Sequence, residues 1–214
     1  MLRVNEIFYS IQGESSYAGR PCVFVRLTGC NLRCAYCDTR YAYDEGQYVS
    51  IDDIIELVTS YRCELVQITG GEPLIQEKTP SLIYRLLKKG FEVLLETNGS
   101  LDISPIDERC VKIVDIKCPS SGEEKKNDLE NLKRLSTKDE IKFVIGNRKD
   151  YIYAKNIMSR FMKDNPEMKP PLFSPVYGQM DPKVMAEWIL ADRIDVRINI
   201  PLHKIIWGAE ARGV

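Results

Sequence analysis

The stretch "SIDDIIELVTSYRCELVQITGGEPLIQEKTPSLIYRLLKKGFEVLLETNGS", residues 50–100, switches three times between two hydrophobic periods. Ile51, Ile54, Ile55 and Val58 share one helical face behind a Ser50 cap, which predicts a helix over residues 50–61. "LVQIT" (65–69) is short, apolar and β-rich, and it runs directly into "GGEP". A second helix is predicted over "TPSLIYRLLKKG" (79–90), with Pro80 at its start and Gly90 at its end. "EVLLE" (92–96) then runs into "TNGS". Alternation of this kind implies a parallel sheet covered by outer helices.

Working outward, strands are predicted at "NEIFYSIQ" (5–12), "PCVFVRL" (21–27), "VKIVDI" (111–116), "EIKFVI" (140–145), "PLFSPV" (171–176) and "DVRINI" (195–200). Most are mostly apolar, as strands covered on both faces would be. Helices are predicted at "DLENLKRLS" (128–136), "RKDYIYAKNIMSRFM" (148–162) and "DPKVMAEWILAD" (181–192). Glycine and polar residues gather where the strands end, in "GGEP", "TNGS", "KCPSSG" and "YGQ". That carboxyl edge is where βα barrels and open α/β sheets bind ligands. The six or seven of these in βα alternation are too few for eightfold closure, so the expected fold is α/β, a partial TIM-like βα barrel in one domain spanning residues 1–214. The polar stretch "SSGEEKKNDLEN" (120–131) reads as a mobile surface loop.

Thirty basic and thirty-one acidic residues leave a formal charge of −1, with no surplus to draw the chain onto nucleic acid or an anionic membrane. Its partners are expected to be small molecules. The start "MLRVNEIFYSIQGE" has neither the cationic opening nor the apolar run of a secretory signal, and no apolar stretch reaches the roughly 20 residues that span a bilayer. A cytoplasmic location is expected. Seven cysteines without an export signal point to reduced thiols, with a clustered subset for metal or catalysis.

The cluster is "GCNLRCAYCDTRY", residues 29–41, which holds Cys30, Cys34 and Cys37 in a loop after the second predicted strand. A closed zinc site takes four ligands, and the only histidine, His203, is the distant fourth candidate. A four-iron cluster held by three thiolates instead leaves one iron open to a small molecule. Spacing alone leaves zinc, an iron–sulfur cluster and unligated thiols all open.

"CNLRCAYC" resembles the cysteine loop of the radical S-adenosylmethionine superfamily, and "TGGEP" (69–73) resembles its second motif, which holds the methionyl amino group. "EIFYSIQGE", "GRPCVFVRLTGCNLRCAYCDT", "LLETNGS", "DIKCPSSG", "FSPVYG" and "LHKIIWG" then follow in the order seen in the 7-carboxy-7-deazaguanine synthases, over nearly the whole chain. The resemblance implies conversion of 6-carboxytetrahydropterin to 7-carboxy-7-deazaguanine with loss of ammonia. It also implies a reduced βα barrel, a homodimer and an electron donor such as flavodoxin.

It further implies roles for individual residues. Cys30, Cys34 and Cys37 would hold a 4Fe-4S cluster, and Thr39 would bind Mg2+ together with water and substrate oxygens. Tyr36, Asp38, Gly71, Asp115, Ile116, Lys117, Ser174, Pro175, Val176 and Tyr177 fall where the family contacts S-adenosylmethionine. Ile11, Gln12, Gly13, Arg26, Thr69 and His203 fall where it contacts the pterin, with Glu14 nearby. Arg26 would pair with the substrate carboxylate through a two-pronged hydrogen bond. Glu96 is the candidate for proton transfer, its pKa expected to shift toward that role at a buried strand end. Cys22, Cys63, Cys110 and Cys118 read as packing residues.

Two departures stand out. The family commonly has glutamine where this chain has Pro201 and proline where it has Ala209. Pro201 lacks both an amide side chain and a backbone donor, so altered pairing of the last strand and a weaker substrate contact are expected. Two other readings share parts of the pattern. A glycyl-radical activase has the same cysteine loop but needs a protein-docking surface, and a non-catalytic zinc module needs only the thiols.

Overall fold

A computed structural model describes residues 1–214. One nine-stranded sheet runs through the molecule in the order β3-β1-β2-β4-β5-β6-β7-β8-β9. The strands are β1 (Leu2–Ile11), β2 (Pro21–Leu27), β3 (Gln47–Val49), β4 (Leu65–Gly70), β5 (Glu92–Thr97), β6 (Val111–Ile116), β7 (Glu140–Ile145), β8 (Leu172–Pro175) and β9 (Arg197–Ile198). From β2 to β9 all neighbours are parallel, while β1 pairs antiparallel with both β2 and β3. The ends of the sheet, β3 and β9, do not pair, so the barrel stays open as expected, although the sheet holds nine strands rather than six or seven. The connection after β1 meets the open side: Gly13 O accepts from Leu202 N at 2.9 Å, and Asn199 Oδ1 accepts from Ser15 N at 2.9 Å.

Helices α1 (Ile51–Ser60), α2 (Thr79–Lys88), α3 (Arg148–Asp164) and α4 (Pro182–Asp192) cover the outside. Side chains set the starts of three of them, with Ser50 accepting from Asp53 N, Asn147 from Lys149 N and Asp150 N, and Asp181 from Lys183 N, while α2 carries Pro80 in its first turn and has no side-chain cap. Two apolar layers lie between sheet and helices. Val23, Val25, Val66, Ile68, Val93 and Leu95 meet Ile54, Val58, Leu82 and Leu86 of α1 and α2. Ile141, Phe143, Ile145 and Phe173 meet Tyr151, Ala154, Met185 and Ile189 of α3 and α4. Each such side chain contributes about 1.5–3 kcal/mol on burial.

The structure corrects several expectations. Residues 128–136 form no α-helix but a 3₁₀ segment, Leu129–Arg134. Asn131 is fully buried there, donating to Gly99 O and Leu101 O and accepting from Ile103 N, which pins the segment to the β5–β6 connection. The stretch 120–131, read from the sequence as a mobile surface loop, forms short 3₁₀ turns (Pro119–Ser121, Glu124–Lys126) that meet the cysteine loop through Ser121 O and Glu123. β9 is two residues long, and two elements went unforeseen: β3 and a short helix α5 (Leu202–Trp207). Pro201 precedes α5 and lies beyond β9, so its missing N–H removes no ladder bond.

Candidate active site

Along the parallel strands the inward-facing side chains change character from the amino to the carboxyl end. Cys22, Phe24, Leu65, Leu94, Val111 and Ile113 form a small apolar plug inside the barrel. Two residues further along the same strands, Phe24 gives way to Arg26, Leu94 to Glu96 and Ile113 to Asp115. These three residues line a cavity of about 730 Å³, a size suited to a cofactor and a small molecule.

The cysteine loop forms one wall. Cys30, Cys34 and Cys37 are half-buried, free of disulfides, and all face the cavity. Backbone bonds hold the loop from three sides: Gly29 N to Ala42 O at 2.8 Å, Glu72 N to Gly29 O at 2.8 Å and Ala35 N to Ser121 O at 3.0 Å. Glu123 adds a fourth contact, accepting from Arg33 N at 2.7 Å. Gly71 is required here, because a Cβ would stand 2.2 Å from Gly29 O and 2.7 Å from Cys30 Cβ. Its neighbour Glu72 is fully buried and accepts from Leu74 N, Thr97 Oγ1 and Asn98 N, tying the ends of β4 and β5 together.

The donor set bears on which metal fits. A closed zinc site takes four ligands, whereas the cysteine loop brings three thiols to this wall. Three thiols spread along one cavity wall suit ligands to separate irons of a cluster. Beside them, Tyr36 Oη and Asp115 Oδ1 are buried without any hydrogen-bond partner. Buried polar atoms are rarely left so, and this pair fits polar groups of a ligand docked against the cysteine loop. Burial, then the charge of Asp115, pushes the Tyr36 phenol up, so it remains a donor. Lys117 Nζ lies 2.6 Å from the other Asp115 oxygen. Burial works to lower Lys117, but the Asp115 carboxylate more than offsets it, so the ammonium stays charged.

Every residue singled out from the sequence lines this one cavity except Ile116, whose side chain points into the outer apolar layer. Thr39 Oγ1 donates to Asp38 Oδ1 at 2.9 Å, and Asp38 pairs with Lys204 of α5. Burial works to raise Asp38, yet Lys204 prevails and holds it at about 2. Ser174 Oγ accepts from Asn199 Nδ2 at 2.8 Å, and Tyr177 lies under Lys204 at 5.2 Å. His203 packs against Gly13, where a Cβ would come within 2.1 Å of its Nδ1. Burial lowers His203, leaving a neutral imidazole near pH 7. Arg26 Nε donates to Glu6 at 2.7 Å, and its guanidinium lies over the rings of Phe8 and Tyr41.

Glu96 corrects an expectation. Burial does act to raise its pKa, but Lys142, 2.7 Å away, outweighs it and the carboxyl is held below its ordinary value. It is therefore an ionised acceptor, also bonded by Gln67 Nε2 at 2.9 Å and Thr69 Oγ1 at 3.4 Å. Lys142 and Gln67 were missed from the sequence. The available signal was polarity at alternate positions inside "EIKFVI" and "LVQIT", which marks an inner barrel face. Of the remaining cysteines, Cys22, Cys110 and Cys118 are fully buried, and burial pushes the first two thiols to about 12, consistent with inert packing. No helix is long and apolar enough to cross a membrane.

Comparison with known proteins places this geometry. Residues 24–124 match the Radical SAM superfamily. The 7-carboxy-7-deazaguanine synthase of Chlorobaculum tepidum is 44% identical over 217 residues, covering 100% of this chain and 97% of the relative. That of Koribacter versatilis is 42% identical over 227 residues, covering 100% of both. The crystal structure of QueE from Escherichia coli matches with a TM-score of 0.78 over 94% of each chain at 24% identity. SuiB of Streptococcus suis, solved bound to S-adenosylmethionine, matches with a TM-score of 0.56 over 81% of this chain and 48% of its own, at 11% identity. These two likenesses support the partial-barrel fold. The superfamily match and the cysteine loop assign the chain a 4Fe-4S cluster and S-adenosylmethionine, and its substrate is a small molecule. With curated relatives this similar along its entire length, the chain belongs to the 7-carboxy-7-deazaguanine synthase family.

Proposed function

We propose that this chain converts 6-carboxy-5,6,7,8-tetrahydropterin to 7-carboxy-7-deazaguanine, contracting the ring with loss of ammonia, in the route to queuosine and related deazapurines. The observation that carries the reading is the content of the cavity beside the cysteine loop. It holds a half-buried guanidinium, Arg26, next to amide and carboxylate side chains of Gln12, Glu14, Gln67 and Glu96. A flat bicycle with one carboxylate and a hydrogen-bonding edge suits such a set. A zinc module has no use for it, and a glycyl-radical activase would require a docking surface for a protein.

Cys30, Cys34 and Cys37 would hold the cluster, with Tyr36, Asp38, Gly71, Asp115, Lys117 and the 174–177 segment around S-adenosylmethionine. The bound pair supplies one-electron cleavage of the sulfonium to a 5'-deoxyadenosyl radical. The remaining work belongs to this chain's own side chains. Arg26 keeps its guanidinium in place through Glu6 and offers its remaining N–H groups to the substrate carboxylate. Glu96, ionised by Lys142, accepts from the substrate and takes a proton rather than giving one. Neutral His203 and Gln12 close on the pterin edge, with Thr69 beneath. Thr39 would supply one oxygen to Mg2+, whose other ligands come from water and substrate. An electron donor such as flavodoxin, a homodimer and a cytoplasmic location complete the reading, and a sheet continuous from β1 to β9 supports a single domain over residues 1–214.

The test is anaerobic purification and reconstitution, then incubation with S-adenosylmethionine, a reductant and the carboxypterin, with and without Mg2+. About four irons per chain and a deazaguanine product that increases with Mg2+ are expected. A colourless zinc protein, or S-adenosylmethionine cleavage with no deazaguanine, would overturn the reading.

A further inference from the structure

One lysine ties the cavity floor together. Lys142 Nζ donates to Glu96 Oε1 at 2.7 Å and to Glu14 Oε2. Glu96 Oε2 accepts from Gln67 Nε2 at 2.9 Å, Gln67 Oε1 accepts from Gln12 Nε2, and Gln12 Oε1 accepts from Glu14 N at 3.1 Å. The five residues thus form a closed ring of hydrogen bonds drawn from β7, β5, β4 and the connection after β1. The lysine side chain is only 8% exposed, whereas the two carboxylates keep 23% and 25% exposure toward the cavity.

The direction of every bond follows from charge. Lysine can only donate, so both carboxylates must accept from it. An ionised Glu96 accepts at both oxygens, which turns the Gln67 amide nitrogen toward it and the Gln67 oxygen toward Gln12. Gln12 must then donate to Gln67 and accept from Glu14 N. A protonated Glu96 would release Gln67 to turn over, and the order would be lost at Gln12 as well.

We propose that Lys142 is a positioning residue for substrate recognition, fixing Glu14 and Glu96 as hydrogen-bond acceptors and so setting the donor and acceptor order that the ring presents to the substrate. This rests on the proposed function for the identity of the substrate, but the ring itself does not. The charged groups acting on Glu96 are Lys142 from β7, Lys117 after β6 and Arg26 from β2, while Asp115 and Glu14 act on Lys142 and His203 of α5 faces Glu14. Gln67 and Thr69 of β4 add uncharged donors. Lys142 is the only one of these cations bonded to both carboxylates.

The experiment is a titration of ¹³C-labelled glutamate side chains in the full chain carrying its cluster, with the Glu96 signal assigned through Glu96→Gln. In the unaltered protein Glu96 stays ionised to below its ordinary range. In Lys142→Met its proton affinity rises by about 10- to 1,000-fold, the usual consequence of losing an adjacent opposite charge, and Lys142→Arg restores the low value. With the carboxypterin, kcat/KM of Lys142→Met falls at least about 10-fold at acidic to neutral pH and partly recovers as pH rises, because Glu96 re-ionises. Lys142→Arg keeps the original pH profile. If Lys142→Met does not fold, Glu14→Gln/Lys142→Met removes one charge of each sign and carries the same titration. An unchanged Glu96 titration in the folded variant overturns the proposal, as does a pH profile that superimposes on the original. Failure of the unaltered protein to turn over the carboxypterin would instead sink the functional reading, with the titration still deciding the role of Lys142.

Discussion

On one side of β7, Ile141, Phe143 and Ile145 pack beneath α3 and α4 with at most 2% exposure. The residues between them, Glu140, Lys142 and Val144, turn inward, and the first two are charged. The same contrast runs across β2, β4, β5 and β6, whose outer faces are aliphatic and whose inner faces become polar toward the carboxyl end. Burial against helices selects the outer residues by size and hydrophobicity. The inner ones must instead meet a ligand, and some, such as Lys142 and Glu96, have partners far along the chain. Outer substitutions should therefore act on stability and inner ones on chemistry.

The largest separation is expected at the cavity wall. Cys34→Ala should abolish turnover and reduce bound iron while leaving the thermal unfolding of the iron-free chain nearly unchanged, as read by metal analysis beside calorimetry. On the outer face, Phe143→Ala should cost about 3–5 kcal/mol in denaturant unfolding, because it opens a cavity under α3 and α4. Its kcat should change little in whatever fraction remains folded. Arg26→Ala should lower kcat/KM by about 30- to 100-fold, chiefly through KM, since a charge-assisted bond to the substrate carboxylate is lost. A comparable loss of stability in that variant would blur the division between the faces.

The pH dependence of stability sharpens the same contrast. Glu96 is held below its ordinary 4.5 in the folded state, so its contribution is present above that value and is lost as pH falls through the folded one. Melting temperature should drop more steeply between about pH 5 and pH 3 in the unaltered protein than in Glu96→Gln. The smallest effect belongs to neither face. Lys133 and Glu130 form an exposed pair, and Lys133→Ala should change stability by less than about 0.5 kcal/mol, with no change in turnover.

What could be read in advance follows the range of the interactions involved. Helix α1 announced itself through Ser50 and four apolar residues within one segment, and the cysteine loop through three closely spaced thiols whose role the family resemblance supplied, because both are local patterns. Lys142 was hidden because its carboxylate partners, Glu14 and Glu96, lie 128 and 46 residues away. The 3₁₀ segment at Leu129–Arg134 had helical spacing, and a buried Asn131 bonded to the β5–β6 connection overrode it. Helix α5 is six residues long with no fully buried side chain, so its placement depends on His203 against Gly13 and Lys204 against Asp38 rather than on an apolar stripe. The expected change in strand pairing at Pro201 failed for a related reason, since a strand as short as β9 ends before the proline is reached.

The most direct measurement is mass spectrometry of an oxygen-free reaction containing reconstituted enzyme, reductant, S-adenosylmethionine and 6-carboxytetrahydropterin, with ammonia quantified alongside. The account predicts 7-carboxy-7-deazaguanine and ammonia in equal amounts. Consumption of S-adenosylmethionine while the pterin is recovered intact would contradict it.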